Sequence, residues 1–153
     1  MAYQLSGVTI RTENTAEGMK KISELWEEIN TGKLPLLFDN QHVFQPGISP
    51  VSRYSNYEND ENGAYDLSII GVRADFFQQL EQEVAKGNYK KYDESDENGD
   101  VASCAKKAWE KVWQDSQTGV IKRAFTVDYE SSVPVEYTKD GKAHCYLYIA
   151  QQV

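Results

Sequence analysis

The last two predicted strands of the chain carry aromatic side chains and a carboxylate that are candidates for one face of a sheet. In the final strand Tyr146 and Tyr148 are two residues apart, so both rings belong to one face of a sheet. Glu130, in the preceding strand, is a candidate for the same face. Tyrosine rings attract a cation through their π-faces, and a carboxylate adds an opposite charge. If the three side chains share a face they suit an organic cation, whereas a register slip of one residue separates them.

Tryptophans at helical spacing are the other candidates for contact with an apolar ligand. Trp26 lies in the first predicted helix, and Trp109 and Trp113 are one turn apart in the second. Large apolar residues on one stripe of a helix usually pack against a core, so packing is the favoured interpretation for Trp26 and Trp109. Trp113 lies one turn beyond that position, where its ring could reach a bound molecule.

The remaining reactive side chains form no recognisable metal or nucleophilic site. His42 and His144 are far apart, and no spacing of His, Cys or carboxylate residues is typical of a metal site, so neither a metal nor a cofactor is expected. The nucleophile elbow of a Ser/His/Asp enzyme does not occur, and no catalytic residue is assigned. Cys104 and Cys145 form no paired motif, and we expect both to be reduced and buried.

The elements that must position these residues follow from hydrophobic periodicity and capping residues. One helix is predicted from residue 14 to about residue 32, and a second from Asp100 to about residue 117. Residues 33–50 form a long loop, and residues 74–86 have room for a short helix. The predicted strands cover residues 3–12, 51–58, 64–72, 88–94, 122–130 and 142–151.

The two helices and their flanking strands repeat one pattern. Aligning Trp26 with Trp109 matches Leu-Trp-Glu-Glu-Ile to Ala-Trp-Glu-Lys-Val, and each helix is followed by a strand ending in Tyr-Glu. The unit is β-α-β-β, once at about residues 1–73 and again at about 87–153. This predicts a single α+β domain over residues 1–153, with pseudo-twofold symmetry, a mainly antiparallel sheet and two helices on one face. Grooves between such halves favour a ligand cleft.

Charge and hydropathy exclude several classes of protein. The chain has 153 residues, of which 24 are acidic and 16 basic, for a net charge of −8. A nucleic-acid surface needs a basic footprint, so direct binding to nucleic acid is not expected. The chain has neither a basic, apolar leader nor an apolar run of membrane-spanning length, which predicts a cytoplasmic protein without a membrane partner. The acidity suits cationic ligands.

An ordered set of short motifs resembles the GyrI-like effector-binding superfamily. The match is to the integron-associated effector-binding proteins and to the effector-binding domain of AraC-type regulators. The motifs span nearly the whole chain, at residues 23–26, 54–58, 63–65, 69–71, 86–89, 108–113, 123–130 and 146–149.

The resemblance implies a duplicated fold with a cleft that binds small amphipathic, often cationic, organic molecules. Some members are the sensor part of transcription regulators, although this chain shows no DNA-binding motif. Members often carry a pocket glutamate in the strand after the second helix, and Glu130 stands at that position. An aromatic residue usually follows two positions later, where this chain has Ser132. The expected ligand-binding residues are Glu130, Trp113, Tyr146, Tyr148, Trp109 and Trp26.

Two other functions fit the same residues. Some members of the superfamily are reported to hydrolyse small molecules, in which case Glu130 would act as a general base toward water. The chain could instead bind and inhibit a protein partner, which requires an exposed apolar patch. We favour effector or drug sensing, or sequestration, over hydrolysis because no second polar catalytic partner accompanies Glu130 in the sequence.

Overall fold

The chain divides into two compact units, Met1–Gln79 and Leu80–Val153, in the computed structural model. The structure describes residues 8–30, 49–59, 63–133, 138 and 140–152. Each unit contains one β-α-β-β repeat, so the predicted duplication is confirmed.

The described residues of the first unit form three antiparallel strands with the helix of the repeat. It comprises β1 (Val8–Thr12), α1 (Ala16–Asn30), β2 (Ser49–Ser55) and β3 (Tyr65–Val72). β3 pairs with β1 on one side and with β2 on the other, so the last strand of the repeat is central. This order lets the hairpin of β2 and β3 form locally while β1 adds to its free edge.

The apolar stripe of α1 packs against β3, as its periodicity predicts. Leu25 is buried in this core, and Trp26 is half-buried against it, in agreement with a packing role. Met19, in the first turn of the helix, is 43% exposed. The buried residues of the cluster are Leu25, Tyr65, Leu67 and Ile69.

The second unit repeats this topology. It comprises β4 (Tyr89–Asp96), α3 (Val101–Gln117), β5 (Val127–Val133) and β6 (Ala143–Ala150), preceded by the end of a further helix, α2 (Ala74–Ala85). β6 pairs antiparallel with both β4 and β5, and therefore takes the central place that β3 has in the first unit. Among the described residues there are thus three helices, one more than the repeat alone predicts.

The sheet of the second unit has two chemically different faces. α3 packs on one of them, the helix face, where β6 presents Cys145, Leu147 and Ile149, all fully buried. The alternate residues Tyr146 and Tyr148 lie on the opposite side, the tyrosine face. The prediction that Tyr146 and Tyr148 share one face, and that Cys145 is buried, is confirmed.

α3 begins where its capping residue predicts. Asp100 has an extended backbone and its side-chain Oδ1 accepts a hydrogen bond from the Ser103 backbone N at 3.1 Å. One orphan N–H of the first turn is thereby satisfied. The helix ends at Gln117, and Gly119 follows with a positive φ of 79°.

β5 lies further along the chain than predicted. The predicted strand covered residues 122–130, whereas β5 is Val127–Val133. Phe125 interrupts the extended backbone with a φ of 54°, in the left-handed region that phenylalanine seldom adopts. Before this break, Arg123 forms a separate antiparallel bridge with Gln151.

Some predicted features fall on residues outside those described. They include the start of the first strand, most of the long loop and the middle of the turn at residues 59–63. Within the described part of the chain, no helix is both long and apolar enough to cross a membrane.

Candidate functional site

The strand register places Glu130 and the two candidate tyrosines on opposite faces. Glu130 is paired with Leu147, and Tyr129 with Tyr148. Since paired residues point to the same side of a sheet, Glu130 lies on the helix face while Tyr146 and Tyr148 lie on the tyrosine face. The patch that would combine this carboxylate with these rings is therefore not formed.

Glu130 lies beside a buried thiol on the helix face. Its side chain is half-buried, and its Oε1 accepts a hydrogen bond from the Cys145 Sγ at 3.6 Å. Burial, together with the negative charge of Glu130, raises the pKa of the Cys145 thiol. The thiol stays protonated at neutral pH and acts as a weak donor rather than a nucleophile. Glu130 thus lies beside a protonated thiol on the side of the sheet where the apolar core is.

A buried ion pair lies two residues before Glu130 on the same strand face. The Arg123 Nη2 is 2.8 Å from the Asp128 Oδ2, and both side chains are at most 2% exposed. The other oxygen, Asp128 Oδ1, accepts a hydrogen bond from the Ala150 backbone N at 2.8 Å. Sequence inspection missed this pair, because an aspartate in a strand is not distinguishable from a solvated one until Arg123 is known to face it.

Trp109 of α3 lies next to that ion pair, and Trp113 lies beside Trp109. Trp109 packs against the core, and its ring centroid is 5.8 Å from the Arg123 guanidinium. Phe125 lies closer to the same guanidinium, at 4.4 Å. Trp113 is half-buried, and its ring centroid is 6.3 Å from that of Trp109. The Trp109 ring, with Trp113 beside it, therefore lies near a cation of the protein itself, the Arg123 guanidinium.

The tyrosine face carries a second internal cation. The Lys91 Nζ is 2.6 Å from the Glu81 Oε1 of α2, and 5.1 and 5.6 Å from the ring centroids of Tyr146 and Tyr148. The buried Tyr148 donates its hydroxyl to the same Glu81 oxygen at 2.7 Å. Burial and this hydrogen bond raise the pKa of Tyr148, while the bond to Lys91 lowers the pKa of Glu81.

A histidine between two carboxylates extends the tyrosine face. His144 Nδ1 is 2.8 Å from Asp93 Oδ1, and its Nε2 is 2.7 Å from Asp140 Oδ2. The ring stacks on Tyr146 with a centroid distance of 5.5 Å. These hydrogen bonds, the one to Asp93 first, raise the pKa of His144. Among the residues that the structure describes, no group of three or more His, Cys, Asp or Glu is arranged to hold a metal.

Trp26 is the one candidate outside the second unit. It belongs to α1, and its described packing is against the core of the first unit. The predicted ligand-binding residues therefore fall into three groups. Glu130, Trp109 and Trp113 lie on the helix-face side, and Tyr146 and Tyr148 lie on the tyrosine face. Trp26 lies in the first unit.

The fold of this chain is similar to that of a solved structure. The chain is an α+β protein with a duplicated β-α-β-β unit. It is similar in structure to an integron cassette protein from the mobile metagenome of Vibrio cholerae, with a TM-score of 0.62, 22% sequence identity, and coverage of 99% of this chain and 91% of that one. At this identity the likeness concerns the fold. No protein-family model and no curated protein matches the chain.

Proposed function

We propose that the chain binds small amphipathic organic cations, as a sensor or a sequestering protein, and that Glu130 supplies the countercharge. The observation that supports this most is the half-buried Glu130 carboxylate at the border of the helix-face core, beside Cys145 and Leu147. A half-buried carboxylate attracts a bound cation and repels an anion.

The aromatic contribution comes from Trp109 and Trp113. Tryptophan has the strongest cation-binding ring among the side chains. The guanidinium of Arg123 near Trp109 is an internal example of the interaction that the ligand would make. Because that ring already has this cation beside it, Trp113 is the better candidate to contact the ligand.

The fold comparison gives independent, though general, support. The structural neighbour is an integron cassette protein, and the sequence motifs resemble those of integron-associated effector-binding proteins. We therefore extend to this chain the ligand class that the resemblance implies. Hydrolysis, with Glu130 as general base toward water, is the less favoured proposal, because no second polar catalytic partner accompanies Glu130 in the sequence.

A fluorescence titration tests the proposal. Tryptophan emission of the wild type is followed while a cationic dye, a neutral analogue and an anionic analogue are added in turn. We expect saturable quenching by the cation alone. Glu130→Gln, which keeps the shape and removes the charge, should weaken cation binding by roughly tenfold or more.

The matched control is Glu94→Gln. Glu94 is a half-buried glutamate on the helix side of β4, where it pairs with Lys111 at 3.6 Å. Its replacement changes the net charge as much as Glu130→Gln does, and should leave the affinity within about twofold. Equal losses in both variants would show that net charge, not a site at Glu130, attracts the ligand. If the cationic dye and its neutral and anionic analogues all fail to bind, the proposal is contradicted and a protein partner is favoured.

A further inference from the structure

The ammonium group of Lys91, on the tyrosine face, lies close to a carboxylate and two aromatic rings. A carboxylate oxygen of Glu81 lies 2.6 Å from its Nζ, and two tyrosine rings lie within 6 Å of the same atom. Aromatic faces attract an ammonium ion, and a carboxylate adds an opposite charge. In this protein the ion is a side chain of β4.

The surroundings are held in place independently of Lys91. Tyr148 is buried and donates its hydroxyl to Glu81, which holds the carboxylate beside that hydroxyl. Tyr146 is stacked on His144, which is in turn bonded to Asp93 and Asp140. None of these contacts needs the lysine, so we expect the site to keep its geometry when the lysine side chain is removed.

The site is also reachable from solvent. The side chains of Glu81 and Lys91 are 47% and 32% exposed, although Tyr148 beneath them is buried. A small amine can therefore approach the carboxylate from water and contact the rings only if the lysine moves aside. Tethering keeps the lysine at a high effective concentration, which weakens any competing cation.

We propose that Glu81, Tyr146 and Tyr148 form a binding site for primary alkylammonium ions, and that Lys91 closes this site by occupying it. A primary ammonium is the chemical group that Lys91 itself places there, and the carboxylate of Glu81 accepts its N–H donors. The site is separate from the one proposed around Glu130, which lies on the opposite face of the sheet. Either site can exist without the other.

NMR titration with n-butylammonium chloride tests the inference. The ring signals of Tyr146 and Tyr148 are followed in the wild type and in Lys91→Ala, at constant ionic strength. We expect saturable shifts of both rings in the variant, with an affinity at least roughly tenfold higher than in the wild type. Lys91→Thr serves as a second variant, because threonine is short and favours a strand. n-Butanol should shift neither ring in a saturable way.

Lys90→Ala is the matched control for loss of a lysine. The Lys90 Nζ lies 5.4 Å from the Tyr92 ring centroid and 3.9 Å from Asp115, so the variant removes a similar cation from the helix side of the same strand. We expect it to bind n-butylammonium no better than the wild type. Glu81→Gln in the Lys91→Ala background should abolish binding, and Glu130→Gln in that background should leave it unchanged.

Three results would overturn the inference. Equal affinity in Lys91→Ala, Lys91→Thr and the wild type would show that the lysine does not compete. Saturable binding of n-butanol would show an apolar cavity rather than an ammonium site. Retention of binding after Glu81→Gln would place the ammonium elsewhere.

Discussion

Arg123 and Asp128 form an ion pair in which both side chains are almost fully removed from water, with 2.8 Å between Nη2 and Oδ2. Asp128 also receives the backbone N–H of Ala150, so its two oxygens have different partners. The pair thereby links the segment before β5 to the end of β6. Breaking one side of such a pair leaves a buried charge that only unfolding can hydrate.

The first prediction concerns this pair. Arg123→Met keeps much of the side-chain volume but leaves Asp128 without its cation, and should lower the free energy of unfolding by about 3–5 kcal/mol. Urea unfolding measures the loss. Arg11→Met is the control, since Arg11 pairs with Asp66 at the surface with 44% of its side chain exposed, and should cost less than about 1 kcal/mol. Similar costs in both variants would contradict the prediction.

The second prediction concerns pH. Hydrogen bonds to Asp93 and Asp140 raise the folded-state pKa of His144 above its ordinary value of 6.5. The protonated form is therefore favoured by folding, and its stabilising effect is complete below pH 6.5 and disappears as the pH rises through the raised pKa. The difference in unfolding free energy between the wild type and His144→Gln should shrink from pH 5.5 to pH 9. A difference that stays constant or grows over this range would be inconsistent with the two ion pairs.

The third prediction concerns the reactivity of the thiols. Burial, then the charge of Glu130, raises the pKa of Cys145, and burial also raises that of Cys104. Both cysteines are free and buried. At pH 8 a disulfide reagent should therefore label the folded protein at least about a hundredfold more slowly than the protein in urea. Rapid labelling of either cysteine under native conditions would show that the core is more open than the structure indicates.

The fourth prediction concerns the start of α3. Asp100 accepts a hydrogen bond from the Ser103 backbone N, so Asp100→Ala should lower the free energy of unfolding by about 1 kcal/mol. Asp100→Asn keeps a hydrogen-bond acceptor at the N-cap and should lower the free energy of unfolding by only a few tenths of a kcal/mol. Chemical denaturation of both variants measures the difference. An equal cost would mean that the charge, not the hydrogen bond, stabilises the helix end.

Local signals predict much of the fold. The start of α3 at its Asp100 cap and the buried face of β6 both depend on residues close together in the sequence. Hydrophobic periodicity and capping report such properties directly. The repeat, seen in the matching Trp26 and Trp109 segments, fixes the order of elements in both units.

The composition of the site depends on register, which the sequence does not specify. Whether Glu130 faces the tyrosines or the helix is decided by its pairing with Leu147, and a shift of one residue would reverse it. The break at Phe125 sets where β5 begins, and phenylalanine gives no signal for a positive φ. The contact of Lys91 with Glu81 was missed for a similar reason, since it requires both the strand pairing and the position of α2.

The proposed function requires that Glu130 selects cations. Calorimetric titration with an aromatic ammonium ligand and its neutral carbon isostere measures this selectivity as the ratio of the two affinities. We predict that the ratio falls by roughly tenfold or more in Glu130→Gln and is unchanged in Glu94→Gln. If Glu130→Gln binds the cation and the isostere in the same ratio as the wild type, Glu130 is not the countercharge and the proposed function is wrong.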